Sequence, residues 1–188
     1  MNHVSFAQLW LPILLSAVLV FAASSLIHML LKWHASDYRA LPNEDEVRAA
    51  IRAGSPTPGQ YVLPHCAEMK DMATPELQKK FKDGPVGFLL VAPNGPPAIG
   101  AALGKWFAFS LLVAFSAAYL ASRTLLPGTH YLQVFRVVGA ASFMAYGFGS
   151  IPLAIWMGKP WSSVIKDLAD ALIYALLSAG IFGWLWPR

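Results

Sequence analysis

Apolar residues in this chain come in long blocks instead of alternating with polar ones. Residues 4–31, 106–122, 137–158 and 171–187 contain no Asp, Glu, Lys or Arg. Crossing ~30 Å of hydrocarbon takes roughly 20 helical residues, so each block with its interfacial flanks predicts one transmembrane helix. The expected fold class is an all-α membrane protein, a four-transmembrane-helix bundle with a small α+β insertion between helices 1 and 2. Residues 1–34 then form helix 1, residues 35–98 the insertion, and residues 99–188 helices 2–4.

The polar stretch between the first two blocks has its own pattern. "PNEDEVRAAIRAG" predicts a short helix, with Asn43 as cap, Glu46 at capping-box spacing and Gly54 as the stop. Val47, Ala50 and Ile51 share one of its faces. "SPTPG" is a turn leading to the strand candidate "QYVL". "TPELQKKFKDG" predicts a second helix, capped by Thr74, with Pro75 at its first position. "VGFLLVA" is the strongest strand signal, and "PNGPP" ends it.

Small residues recur every fourth position in three of the apolar blocks. Such stripes lie on one helix face and let backbones approach closely in lipid. Helix 2 carries Ser110, Ala114, Ala118 and Ser122; helix 3 carries Ala141, Ala145 and Gly149; helix 4 carries Ala171, Ala175, Ala179 and Gly183. These predict tight packing within the chain, with packing between chains as the alternative. Pro12, Pro152 and "GFGSIP" are candidate kinks.

Composition sharpens the membrane reading. Charged residues are 13% of the chain and hydrophobic ones 56%. The seven tryptophans, Trp10, Trp33, Trp106, Trp156, Trp161, Trp184 and Trp186, all fall at or near block ends, where Trp favours the headgroup zone. The first block lacks a basic n-region and is longer than a signal-peptide core, so a retained helix is expected. Residues 32–105 carry nine Lys and Arg; Lys159 and Lys166 join them on that side, against Arg123, Arg136 and Arg188 on the other. Eleven against three predicts a cytoplasmic insertion and both termini outside. The net charge of +4 is too balanced to predict a nucleic-acid partner. A single cysteine, Cys66, excludes an internal disulfide.

Candidate chemistry is sparse. Asp167, Asp170 and Tyr174 form a candidate ion or proton site at the inner mouth of helix 4, since intramembrane carboxylates are costly. The plainer expectation is that Lys166 and the headgroups neutralise both acids, which suit a helix N-terminus. Arg123 and Arg136 are expected to snorkel to phosphate. His28, within hydrogen-bonding reach of Ser24, could join His65 and Cys66 as metal ligands. The six-residue step to His34 does not return to one helix face, and paired zinc spacing is missing. Haem ligation is disfavoured because His3 and His130 fall on the far side. No cofactor is expected, and nucleophile elbows, phosphate loops and zinc motifs are missing.

Two segments, "PGQYVLPHC…GPVGFLLVAPNGP" and "IPLAIWMGKPWSSVIKDLADALIYALLSAGIFGWLWP", resemble an uncharacterised group of small bacterial multi-helix integral membrane proteins. The resemblance covers about half the chain and implies a bacterial inner-membrane location with a helical bundle. It carries over no functional residue. The expected partners are the lipid bilayer and either other membrane proteins or further copies of the chain. Two functions are expected: a non-catalytic accessory or assembly component of a membrane complex, or a small oligomeric transporter or channel for protons or cations. A membrane enzyme or redox protein using His28, His65 and Cys66 ranks third.

Overall fold

Each apolar block is helical in the computed structural model, which describes residues 4–188. A helix satisfies all its backbone groups internally, which hydrocarbon requires. α1 is Trp10–Leu26, α4 Ile99–Thr124, α5 Tyr131–Gly147, α6 Ser150–Met157 and α7 Trp161–Trp184; α2, α3 and two strands lie in the insertion. Among the described residues, three helices are long and apolar enough to cross a membrane: Trp10–Leu31, Ile99–Thr124 and Tyr131–Met157, the last combining α5 and α6. α7 is as long, at 24 residues, but carries Lys166, Asp167 and Asp170 in its first three turns and buries nine side chains.

Pro12 lies in the first turn of α1, where its missing N–H costs nothing, so it starts that helix and does not kink it. "GFGSIP" does interrupt helix 3. α5 ends at Gly147, and α6 restarts at Ser150 with Pro152 in its first turn. α1 ends less regularly. The Ser24 and Ser25 hydroxyls both donate to the Phe21 carbonyl at 2.9 Å, a competition that distorts helices. The next turn, Ile27–Leu31, is π-helical, and Lys32 then adopts a left-handed conformation with φ 51°. A short 3₁₀ turn, Trp33–Asp37, follows.

The long helices close a ring in which α1 packs on α4 and α7, and α5 packs on α4 and α7. The α5–α7 seam is the most extensive. Lipid supplies no hydrophobic drive between helices, so this seam depends on van der Waals fit. Gly147 is one reason it closes: a Cβ there would lie 3.1 Å from Ala171 Cβ. Gly183 is another, where a Cβ would meet the Tyr131 ring at 2.7 Å. Ala171, Ala175 and Ala179 are buried on α7, and Ser110, Ala114, Ala118 and Ser122 on α4.

Helix 3 departs from its expected ridge. Ala141 is half-buried, while Ala145 and Gly149 are exposed. The buried residues of α5 are Val134, Val138, Ser142 and Gly147 instead. Both stripes are narrow, so size alone does not set the helix phase. The valines supply more packing surface and take the interior.

Two apolar clusters fill the bundle. One holds Leu9, Ala118, Val134, Val138, Phe182 and Trp186, where α1 and α5 begin and α4 and α7 end. The other holds Val20, Ile27 and Tyr174, with Trp33, Trp106 and Tyr146 against them.

Residues Arg39–Pro97 form a separate compact unit, so the 3₁₀ turn and Tyr38 belong with the helices and not with the insertion. The unit contains α2 (Glu44–Ala53), β1 (Gly59–Leu63), α3 (Pro75–Asp83) and β2 (Gly87–Val91). The strands pair antiparallel from Gly59 opposite Val91 to Leu63 opposite Gly87. Asn43 and Thr74 occupy the N-cap positions, but neither side chain bonds its helix. The Thr74 hydroxyl instead donates to the Asp71 carbonyl at 2.8 Å.

Candidate functional site

The left-handed turn at Lys32 reverses the chain and lays Trp33–Asp37 against α7. This brings His34 back over His28. The two imidazoles stack with centroids 4.8 Å apart and planes within 4°. His34 Nε2 is 2.9 Å from Asp170 Oδ2, and His34 Nδ1 is 2.8 Å from Asp37 Oδ2. His28 Nε2 lies 3.8 Å from the same Asp170 oxygen. His28 Nδ1 is 3.0 Å from the Ser24 carbonyl. A carbonyl only accepts, so Nδ1 carries the proton and the Nε2 of a neutral His28 turns its lone pair toward Asp170.

The lysines have other partners. Lys166 Nζ donates to Asp37 Oδ1 at 2.6 Å and to Ser36 Oγ at 2.7 Å. Lys159 pairs with Asp167. Lys166 is thus not the counter-ion of either acid on its own helix, contrary to the sequence expectation. The Lys166 ammonium holds the Asp37 carboxyl down to about 2, against desolvation and with help from His34 and Ser163.

Asp170 is 5% exposed. Its Oδ2 faces the histidines, while its Oδ1 is buried with no hydrogen-bond partner. Tyr174, one turn deeper, has its hydroxyl in the same condition. The Tyr174 ring packs at 5.4 Å from Tyr146 and 6.2 Å from Trp106. Trp106 Nε1 donates to Ser24 Oγ at 2.8 Å, so one residue anchors both this indole and His28. A cavity of about 390 Å³ borders the cluster, lined by His28, His34, Asp37, Lys159, Ser163 and Asp167 among others.

The structure therefore joins two of the sequence candidates, His28 and Asp170, sets Tyr174 beneath them and puts Asp167 on the cavity wall. His65 and Cys66 line a different pocket within the insertion, with Asp71, Glu76 and Lys80. Cys66 Sγ donates to the Glu68 carbonyl at 3.0 Å. Among the described residues, the metal-compatible group is His28, His34 and Asp170, whose ligand atoms all lie within 4.8 Å of one another. His130 bonds its own helix start, accepting from the Leu132 N–H, and His3 lies outside the described residues.

Sequence reasoning set His34 aside on its spacing from His28 and missed Asp37. It extended helix geometry through Lys32, and six residues on a continuous helix do separate two side chains. The polar run "KWHASD" directly after the last apolar residue was the available sign that the helix had ended. No protein-family model, curated protein or solved structure matches this chain.

Proposed function

We propose that the protein is a four-pass membrane carrier for protons or cations that loads at the His28–His34–Asp170 site. The observation that carries this reading is the environment of Asp170. A carboxylate buried in a membrane bundle demands a partner, yet both neighbouring lysines are committed elsewhere and one carboxylate oxygen stays free. Two imidazoles and an adjoining cavity supply the partner. Such a site holds an exchangeable cation where a Lys or Arg would hold a permanent one.

Three further observations support it. α7 completes the ring and runs along α5; at about 1.5 Å per residue it is long enough to cross. Its outward residues Ile165, Leu172, Leu176 and Trp184 are exposed and apolar, as a lipid-facing surface requires. The break between α5 and α6 falls beside Leu168 and Ala171, close to the site along α7, and interrupted helices commonly accompany carrier sites. Leu9, Val134, Val138 and Phe182 pack the opposite half of the bundle, an arrangement for a carrier loaded from one end and not for an open channel.

The excess of Lys and Arg on one side supports a loading end in the cytoplasm and both termini outside. The resemblance to small bacterial integral membrane proteins supports a bacterial inner membrane. The accessory reading rests on elimination, and no surface among the described residues selects a partner for it.

The test is ion flux in vesicles holding the purified protein. Wild type should move protons or a cation faster than empty vesicles, and Asp170→Asn should remove the excess. Wild-type flux equal to that of empty vesicles refutes the proposal.

A further inference from the structure

The geometry points to a divalent transition metal of the zinc class as the ion held by this site, with His28 Nε2, His34 Nε2 and the Asp170 carboxylate as protein ligands. This names the ion of the carrier proposed above and rests on that reading for its role, but its binding is testable alone.

The distances come first. Metal–ligand bonds of ~2.0–2.1 Å in a tetrahedron separate ligand atoms by roughly 3.3 Å. The two nitrogens stand 2.9 and 3.8 Å from Asp170 Oδ2, on either side of that value. The three ligand atoms all lie within 4.8 Å of one another, so seating an ion requires the stacked rings to tilt out of parallel and draw their Nε2 atoms together.

The imidazole orientations suit a metal as well. A metal-bound histidine normally donates its remaining N–H to a carbonyl or carboxylate, which fixes the ring and its tautomer. Both histidines have that support here. His28 Nδ1 is held by the Ser24 carbonyl at 3.0 Å, and His34 Nδ1 by Asp37 at 2.8 Å. Asp37 is itself fixed by Lys166. Each Nε2 is thus left facing the same carboxylate.

The donor set then selects the ion. Two imidazoles and a carboxylate suit zinc, cobalt, nickel or iron, whereas magnesium and calcium prefer oxygen throughout. The buried, unpartnered Asp170 Oδ1 is a further oxygen within the same carboxylate. Three protein ligands beside a cavity of about 390 Å³ leave a coordination position for water or a transferred ligand. Structural zinc sites are closed by four protein ligands; this one is open.

The experiment titrates the full-length protein in lipid nanodiscs with Co²⁺, then displaces it with Zn²⁺. The inference predicts one Co²⁺ per chain and a visible band of low-coordinate cobalt, lost on Zn²⁺ addition. His34→Gln should abolish the band. His28→Gln is the second variant, because that side chain is 53% exposed and its loss leaves the core intact. Asp37→Asn should weaken binding about 10- to 100-fold, as loss of an orienting carboxylate does. Cys66→Ser and His65→Ala should change nothing.

Absence of stoichiometric cobalt from folded wild type overturns the inference, as does a band that survives His28→Gln and His34→Gln together. Proton flux through Asp170 without metal binding would sink the metal and keep the carrier. Metal binding without flux would keep the metal and sink the carrier.

Discussion

Adding one methyl group at each of three glycines on helix 3 tests how the bundle is held together. At Gly147 a new Cβ would stand 3.0 Å from Leu168 Cδ2 and 3.1 Å from Ala171 Cβ. Carbon atoms settle at about 3.5–4.0 Å, so each contact is short by roughly half an ångström. Leu168 can turn its terminal methyl away. Ala171 cannot, because its Cβ is fixed to the α7 backbone, and the seam itself must open. Overpacking of this kind costs about 1–3 kcal/mol, partly offset by up to ~1 kcal/mol of helix propensity gained over glycine. Gly147→Ala should therefore destabilise by about 0–3 kcal/mol. At Gly139 the nearest atom is Ala179 Cβ at 3.3 Å, so Gly139→Ala should fall near neutral. At Gly149 nothing lies within 4 Å, and its φ of −62° is already helical. Gly149→Ala should be neutral or stabilising by a few tenths of a kcal/mol. The assay is equilibrium unfolding in mixed micelles, followed by circular dichroism for all three variants side by side. The reverse order, with Gly149→Ala the most destabilised, would refute the seam and restore the 141–145–149 ridge.

Other consequences of the structure can be checked in parallel. Asp37 is depressed from 3.8 to about 2 on folding, so its pairing stabilises above pH ~4 and that contribution is lost as pH falls toward 2. Lys166→Met should flatten the acid limb of a stability–pH curve over that interval; an unchanged slope counts against the Asp37–Lys166 link. Trp106→Phe removes the bond to Ser24 Oγ and part of the packing on Tyr146 and Tyr174, and should cost about 1–3 kcal/mol, with no change in overall helix content. A variant as stable as wild type would mean that neither contact holds the indole in place. Leu172→Arg places a charge on the outward face of α7, and membrane insertion of the full chain should fall sharply. Normal insertion and folding of that variant would remove α7 from contact with lipid.

The parts of this fold legible in sequence are those set by local chemistry. Charge-free blocks marked the long helices, Pro75 and Gly54 marked helix boundaries, and the short apolar run "VGFLLVA" before the "PNGPP" turn marked β2. His28 stood out inside an apolar block and Asp170 at the entrance of one, because a polar group there is costly. What stayed hidden depends on where the chain turns back. Lys32 takes a left-handed conformation with no glycine to announce it, and that one residue brings His34 and Asp37 to α7. The Lys166–Asp37 pairing follows from the same reversal, since Lys166 finds Asp37 only after the turn has folded over. The phase of α5 was hidden for another reason: a ridge of small residues and a stripe led by Val134 and Val138 each make a packing face, and only the tertiary contacts put the valines inside.

The most direct measurement of the central claim traps a pH dye and a zinc dye together in vesicles of the reconstituted protein, wild type beside Asp170→Asn. The account predicts that at least one dye responds in wild-type vesicles above the empty-vesicle background, and that the response disappears in Asp170→Asn while the variant keeps its helix content. Wild-type and Asp170→Asn traces that overlay would contradict it, and would leave the buried His–Asp cluster as a packing feature of the bundle.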